Sequence, residues 1–155
     1  MSDAFEADAL DSFERRIDAW LRDARDAGSA VVAVDRGEPG ERRWYVRLRG
    51  DDKDFTTIWL TLGQRTLRYE TYVLPAPEAN HAEFYEQLLR RNYGLVGAHF
   101  AIGPENAVFL IGELPLGAFD EAELDRVVGS MLAFVEHSFR ALLGAGFSRV
   151  FRTFH

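Results

Sequence analysis

The sequence predicts an α+β fold in which helices pack on a twisted, mostly antiparallel sheet. Three observations lead to this class. The chain has 155 residues, of which 47% are hydrophobic, and this suits one globular domain. Three stretches repeat apolar residues at steps of three and four, as amphipathic helices do. The stretches between them alternate apolar and polar residues and are joined by hairpin-length connections. The predicted order is α-β-β-β-β-α-β-β-α.

The three helices are predicted from their apolar stripes and end signals. The first ends before Gly28, and its stripe consists of Phe13, Ile17, Trp20, Leu21 and Ala24. The second runs from about Glu78 to Asn92, with an apolar face made of Phe84, Tyr85, Leu88 and Leu89. The third runs from about Asp120 to Leu143 and is closed by Gly144 and Gly146, and Asp120 with Glu123 has capping-box spacing.

The strands are predicted where side chains alternate with a period of two. In the strand around Trp44–Leu48, for example, Trp44, Val46 and Leu48 alternate with more polar positions. The other predicted strands are Ala30–Asp35, the stretch around residues 57–62, Arg68–Leu74, Ala98–Ile102 and Ala107–Leu114. Residues 1–147 are predicted to form a single domain, and residues 148–155 a C-terminal tail.

Composition excludes several kinds of chemistry. There is no cysteine, so disulfides, thiol nucleophiles and cysteine-ligated metals are excluded. The formal net charge is −7, which argues against a dedicated nucleic-acid binder, whose affinity comes mainly from neutralising phosphates. Residues 1–27 are rich in acid and lack the basic start and apolar run of a signal peptide. We therefore expect a cytoplasmic protein that does not enter a membrane.

Several strings, taken together in their order and spacing, resemble the YbjN domain family in its actinobacterial form. The resemblance covers roughly residues 15–147, and the strings are Trp44–Leu48, Asp54–Leu62, Leu67–Tyr72, Pro75–Asn80, Tyr85–Asn92, Phe100–Ile102, Gly112–Leu116 and Glu123–Ser130. It implies the type III secretion chaperone fold, whose members often form homodimers and hold extended segments of partner proteins. The family is described only as proposed regulators of sensory transduction, and it brings no catalytic residues.

No constellation of residues predicts a reaction. The four histidines, His81, His99, His137 and His155, lack the spacing of metal ligands, so we expect no metal and no cofactor. There is no Gly-x-Ser-x-Gly motif, and a neighbouring His137 and Ser138 would point in different directions on a helix. The acidic clusters are explained by a solvated turn and by the first turn of a helix. The chain is not expected to be an enzyme.

The third strand indicates where a partner would bind. Ile58 and Leu60 lie on one of its faces, and Phe55 and Trp59 on the other, whereas an exposed sheet face should be polar. A helix of the same chain, a dimer partner or a client segment could cover this second face. The predicted partner-binding residues are Tyr45, Arg47, Trp59 and Tyr69.

The preferred hypothesis is a non-enzymatic protein-binding or regulatory domain that forms a homodimer and holds a partner protein. One alternative is a small-molecule sensor or cryptic enzyme, which would need an aromatic pocket with convergent polar groups. Another is a weak binder of single-stranded nucleic acid, because arginines and aromatic residues interleave on the strands. The tail Phe147–His155 could be loose, dock on the sheet or add to a neighbour as an edge strand.

Overall fold

A computed structural model of the chain describes residues 4–147 and confirms the α+β fold and its element order. The predicted tail, residues 148–155, lies outside this range. The helices are α1 (Ala7–Asp26), α2 (His81–Gly94) and α3 (Glu121–Gly146). The strands are β1 (Val31–Arg36), β2 (Arg43–Arg49), β3 (Phe55–Leu62), β4 (Thr66–Leu74), β5 (His99–Ile102) and β6 (Val108–Pro115).

The six strands form one antiparallel sheet in the order β1-β2-β3-β4-β6-β5. The first four strands follow one another as hairpins, and β6 then pairs with β4, so that β5 is placed at the edge. Alternate side chains of β2, β3 and β4 enter one core with the three helices. This core contains Trp44, Val46, Leu48, Ile58, Leu60, Leu67, Tyr69, Leu110 and, from the helices, Ile17, Leu21, Phe84, Val135 and Phe139.

Helix α3 starts as predicted and ends later. The Asp120 side chain accepts a hydrogen bond from the Glu123 amide at 2.8 Å, as an N-cap does. Gly144 and Gly146 were expected to follow the helix, but both lie within it. At Gly146 the glycine allows close packing of α3 on α2 and does not end the helix. A Cβ at Gly146 would lie 2.6 Å from a ring carbon of Phe84 on α2.

Helix α2 begins at His81, three residues later than predicted, because the preceding segment binds the end of α3. The amides of Glu78 and Ala79 donate to the Gly146 carbonyl oxygen at 2.7 and 3.1 Å. The Asn80 side chain donates to the Ala145 carbonyl oxygen at 3.1 Å. These bonds satisfy carbonyls that a helix end leaves without intrahelical partners, and they fix the angle between the two helices.

Between residues 4 and 147, no helix is long and apolar enough to span a membrane.

Candidate functional site: the open face of the sheet

One face of the sheet packs against the helices, and the other, called here the open face, is covered by no helix among residues 4–147. The burial of β2 and β3 alternates along each strand, and the open-face positions are exposed or half-buried. The open face carries Tyr45, Arg47 and Arg49 of β2, Phe55 and Trp59 of β3, Arg68, Glu70 and Tyr72 of β4, and Phe109, Ile111 and Glu113 of β6. The sequence left three possibilities for what covers this face: a helix of the same chain, a dimer partner or a client segment. The first is not observed among residues 4–147.

Two aromatic pairs stand on the open face. Tyr45 and Trp59 are directly opposite each other on β2 and β3, and their rings meet edge to face with centroids 6.0 Å apart. Tyr72 and Phe109 are opposite each other on β4 and β6, with centroids 5.7 Å apart in the same geometry. Trp59 is 36% exposed and Tyr72 is 42% exposed. The two rings of each pair therefore hold one another in place and still expose aromatic surface to solvent.

The two ends of β2 present their arginines differently. Near its start, Arg43 donates to the Thr61 hydroxyl oxygen at 3.2 Å and lies 3.7 Å from a carboxylate oxygen of Glu41. At its end, the guanidinium carbon of Arg47 lies 3.8 Å from the centroid of the Phe55 ring, and that of Arg49 lies 5.6 Å from it. These are cation–π distances, so one phenyl ring supports two guanidinium groups.

The middle of the open face is polar and internally paired. Glu70 is opposite Trp59 on the neighbouring strand, and Arg68 lies 3.9 Å from Glu70 and 3.8 Å from Glu113. These separations are long and the groups are solvated, so each pair contributes at most about 1 kcal/mol. Arg68 offsets only one of the two negative charges, so this part of the face keeps a net charge of −1. Trp59 lies beside it on β3, and Tyr72 lies two residues further along β4.

The structure brings together three of the four predicted partner-binding residues. Tyr45, Arg47 and Trp59 share the open face. Tyr69 belongs to the opposite face: it is 2% exposed, and its hydroxyl donates to the Gly97 carbonyl oxygen. The reason is register, because Tyr69 is paired with Leu60, a core position of β3. Burial raises the pKa of the Tyr69 phenol, and the nearby Arg126 opposes this shift.

Two residues of the open face, Arg49 and Phe109, were not among the predicted partner-binding residues. Arg49 follows Arg47 at the spacing that keeps two side chains on one face, so the strand pattern could have included it. The sequence pattern could not place Phe109 opposite Tyr72, because that contact depends on a pairing between strands that α2 separates along the chain.

A second exposed apolar surface lies at the end of α2 and was not predicted. It is called here the α2 patch and consists of Leu89 and Tyr93, which lie one turn apart on the helix and are both exposed. Leu89 was assigned to the apolar face of the helix, but only Phe84 and Leu88 are buried in α2 and Leu89 is 71% exposed. Beside the patch, a groove of about 690 Å³ between α2 and α3 is lined by Tyr93, Leu95, Phe100, Phe134 and neighbouring residues.

The described histidines and carboxylates are not gathered into a metal-binding cluster. Across residues 4–147, no group of three or more histidine, aspartate or glutamate side chains could hold a metal ion. His81 lies against the Tyr85 ring, with centroids 6.3 Å apart, and His99 is opposite Ile111 at the sheet edge. His155 lies outside the described residues.

The helix-covered antiparallel sheet defines a domain with the type III secretion chaperone fold. It aligns with a chain of the heterodimeric ExoU-SpcU complex from the type III secretion system of Pseudomonas aeruginosa, at 17% identity and a TM-score of 0.51, covering 84% of this chain and 97% of that one. It also aligns with a chain of the ExsC-ExsE complex, at 17% identity and a TM-score of 0.54, covering 86% and 95%. The chain belongs to the YbjN family, described as "Putative bacterial sensory transduction regulator", whose model matches residues 11–144.

Relatives occur in mycobacteria. An uncharacterised protein of Mycobacterium tuberculosis is 36% identical over 102 residues, which are 66% of this chain and 56% of that protein. An uncharacterised protein of Mycobacterium leprae is 33% identical over 108 residues, which are 70% of this chain and 59% of that protein. The chain therefore matches little more than half the length of these relatives.

Proposed function

We propose that this chain is a cytoplasmic, non-enzymatic protein-binding or regulatory domain, and that it holds an extended segment of a protein partner on the open face. The observation that carries the proposal is the pair of partly exposed aromatic residues, Trp59 and Tyr72, on a sheet face that no described helix covers. Two of the solved structures that share the fold are complexes with a second protein, which supports a binding role.

The free energy for binding comes from the apolar surface of the open face. Removing apolar surface from water contributes about 25 cal/mol per Å², and aromatic anchors dominate most interfaces. Tyr45, Trp59, Tyr72 and Phe109 stand on four neighbouring strands and are already ordered by their edge-to-face contacts. Ordering them costs a partner little entropy. An extended segment fits this surface because its alternate side chains repeat at the spacing of the sheet.

The chemistry of the open face favours binding over catalysis. Its charged groups Arg68, Glu70 and Glu113 lie near one another, and Arg68 offsets one of the two negative charges. A catalytic acid or base is usually a titratable group held in a cleft beside the reacting atoms, whereas these groups lie on a solvated sheet face. The face thus offers aromatic and guanidinium contacts to a partner.

We also infer that two copies associate through the α2 patch. Tyr93 is 97% exposed and Leu89 is 71% exposed, and both are on one stripe of α2 with Glu86 and Arg90. Glu86 and Arg90 form an ion pair of 3.1 Å within the helix. In an antiparallel arrangement of α2 with its copy, Leu89 would meet Leu89, and each Arg90 would approach the partner's acidic half of the stripe. Such self-complementarity is what a two-fold interface requires.

Site-specific crosslinking tests the binding face. A benzophenone amino acid replaces Trp59 on the open face or, as the matched control, Arg22 on the exposed side of α1, and each variant is irradiated in cells of its own host. Position 59 is expected to crosslink to one or a few proteins, and position 22 is not. An identical pattern at the two positions, or no protein adduct at position 59, would show that the open face is not the binding site.

Sedimentation equilibrium tests the dimer separately. The double substitution Leu89→Ser with Tyr93→Ser is expected to shift the protein to a monomer, because it removes the two most exposed apolar side chains of the α2 stripe. The double substitution Tyr45→Ser with Trp59→Ser serves as the control and is expected to leave the mass unchanged. A monomeric wild-type chain at high concentration would contradict the dimer and would leave the binding-face proposal standing.

A further inference from the structure

Two guanidinium groups on the open face have no carboxylate partner. Among residues 4–147, neither Arg47 nor Arg49 is part of an ion pair, whereas Arg43 and Arg68 on the same face lie 3.7 to 3.9 Å from carboxylate oxygens. Both Arg47 and Arg49 are exposed. In a chain with a net charge of −7, two neighbouring arginines without an anionic partner form a local positive site.

Phe55 holds this positive site in position. The guanidinium carbon of Arg47 lies 3.8 Å from the Phe55 ring centroid, close enough to stack on the ring. Stacking orders the planar group and occupies its face, while its edge keeps the N–H donors that form two parallel bonds to a carboxylate. Arg49 borders the same ring at 5.6 Å. The ordered guanidinium therefore loses less side-chain entropy when it binds an anion.

The spacing of the two arginines matches an extended chain. Arg47 and Arg49 are two residues apart on β2, so their side chains leave the same face about 7 Å apart. Carboxylates at alternate positions of an extended segment have the same spacing. Tyr45 lies two residues before Arg47 and is paired with Trp59, so the line along β2 offers one aromatic contact followed by two cationic ones.

We propose that the partner segment is acidic, with an aromatic or large apolar residue followed at alternate positions by two carboxylates. The apolar residue packs on Tyr45 and Trp59, and the two carboxylates bind Arg47 and Arg49. This inference rests on the proposed function, since it assigns a chemistry to the segment that the open face holds.

Nucleic acid fits the same site less well. A single strand carries a phosphate at every nucleotide, and a backbone that crossed the sheet from the two arginines would meet Glu70 and Glu113 on the same face. These two carboxylates, offset by Arg68 alone, would repel the phosphates through the Coulomb interaction between like charges. A peptide can place its charges only where the arginines are.

Fluorescence anisotropy with a matched pair of labelled peptides tests the inference. One peptide contains Phe-Thr-Glu-Thr-Glu, its twin contains Phe-Thr-Gln-Thr-Gln, and a labelled oligothymidylate is measured beside them. The intact chain is expected to bind the glutamate peptide about tenfold more tightly than its twin at low salt, since charge-assisted hydrogen bonds are about twice as strong as neutral ones. The difference should shrink in about 1 M NaCl, where the screening length is about 3 Å.

Two double variants with the same change of charge sharpen the test. Arg47→Gln with Arg49→Gln is expected to remove the preference for the glutamate peptide. Arg15→Gln with Arg22→Gln, which alters two exposed arginines of α1, is expected to keep it.

The inference is overturned if neither peptide binds, if both bind equally, if the β2 variant retains the preference, or if the oligothymidylate binds more tightly than the glutamate peptide. If the two peptides bind equally and the double substitution Tyr45→Ser with Trp59→Ser abolishes that binding, the acidic chemistry is overturned. The open face is then upheld as a protein-binding surface.

Discussion

The ring of Tyr69 packs over Gly112, which is its direct partner on the neighbouring strand. A Cβ at Gly112 would lie 2.4 Å from a ring carbon of Tyr69 and 2.3 Å from the Gly97 carbonyl oxygen. Real Cβ atoms do not approach other atoms this closely, so only glycine fits. The missing side chain lets the Tyr69 ring lie against Gly112 and reach Gly97 with its hydroxyl group.

The substitution Gly112→Ala is therefore expected to destabilise the fold. The added methyl group would force the Tyr69 ring and the Gly97 backbone apart, and overpacking of this kind costs about 1–3 kcal/mol. Gly129→Ala in α3 is the matched control, because nothing lies within 4 Å of a Cβ at Gly129. Replacing a helical glycine by alanine should stabilise by about 0.5–1 kcal/mol. Urea denaturation measures both, and a neutral Gly112→Ala would contradict the packing described.

Stability at alkaline pH should depend on Tyr69. Burial raises the pKa of its phenol in the folded state, so the unfolded chain ionises first, near pH 10. The contribution of this group is complete below that pH and is lost as the pH rises through the folded pKa. Tyr69→Phe should cost about 0.5–1.5 kcal/mol at neutral pH through the lost hydrogen bond.

Denaturation of the two proteins at a series of pH values tests this dependence. The stability difference between wild type and Tyr69→Phe should shrink as the pH rises above about 10. A difference that stays constant over this range would show that Tyr69 does not titrate in the way its burial implies. Tyr72→Phe is measured in the same way. Burial also raises the pKa of Tyr72, although this residue lies on the open face and not in the core.

The placement of Tyr69 also shows how far the sequence could predict the site. The element order and the antiparallel hairpins were predictable, because they depend on local periodicity and short connections. The face on which Tyr69 lies was not, since its strand carries Tyr69 and Tyr72 on opposite sides and either could have been the buried one. Only the pairing of Tyr69 with Leu60 and with Gly112 decides the matter.

Helix α2 is a second case in which the sequence could not predict which residues are buried. Phe84, Leu88 and Leu89 are all apolar, so periodicity predicts a broad buried face. The core of this chain accepts only the first two, and Leu89 remains on the surface beside Tyr93. Which part of a broad apolar face is buried depends on the angle at which α2 meets α3, and that angle is set by contacts distant in sequence, such as Gly146 with Phe84.

Asp18 on α1 is expected to stabilise the buried indole of Trp44. Its carboxylate accepts a hydrogen bond from the indole N–H at 2.7 Å, and Trp44 is fully buried. Arg36 lies 4.7 Å from the Trp44 ring and donates to the same carboxylate at 3.1 Å. Asp18→Ala would leave a buried donor unsatisfied, which costs about 1–3 kcal/mol. Asp23→Ala, at an exposed position of the same helix, should change stability by less than about 0.5 kcal/mol.

A double-mutant cycle separates this hydrogen bond from general effects on the helix. Trp44→Phe removes the donor, so Asp18→Ala should cost less in that background than in the wild type. Thermal unfolding of the four proteins gives the coupling energy, expected at about 1 kcal/mol or more for residues in contact. Additive effects would mean that the indole and the carboxylate do not act together.

Glu136 on α3 is expected to hold the hairpin turn between β2 and β3 against the helix. Its two carboxylate oxygens accept hydrogen bonds from the amides of Asp51 and Asp52 at 2.9 and 2.7 Å. Glu136→Gln replaces one acceptor with a donor that would face an amide, which should cost about 1–3 kcal/mol. The control is Asp125→Asn, an exposed change of the same charge on the same helix. Hydrogen exchange at the two amides should quicken only in Glu136→Gln, and unchanged protection there would show that the turn is held by other contacts.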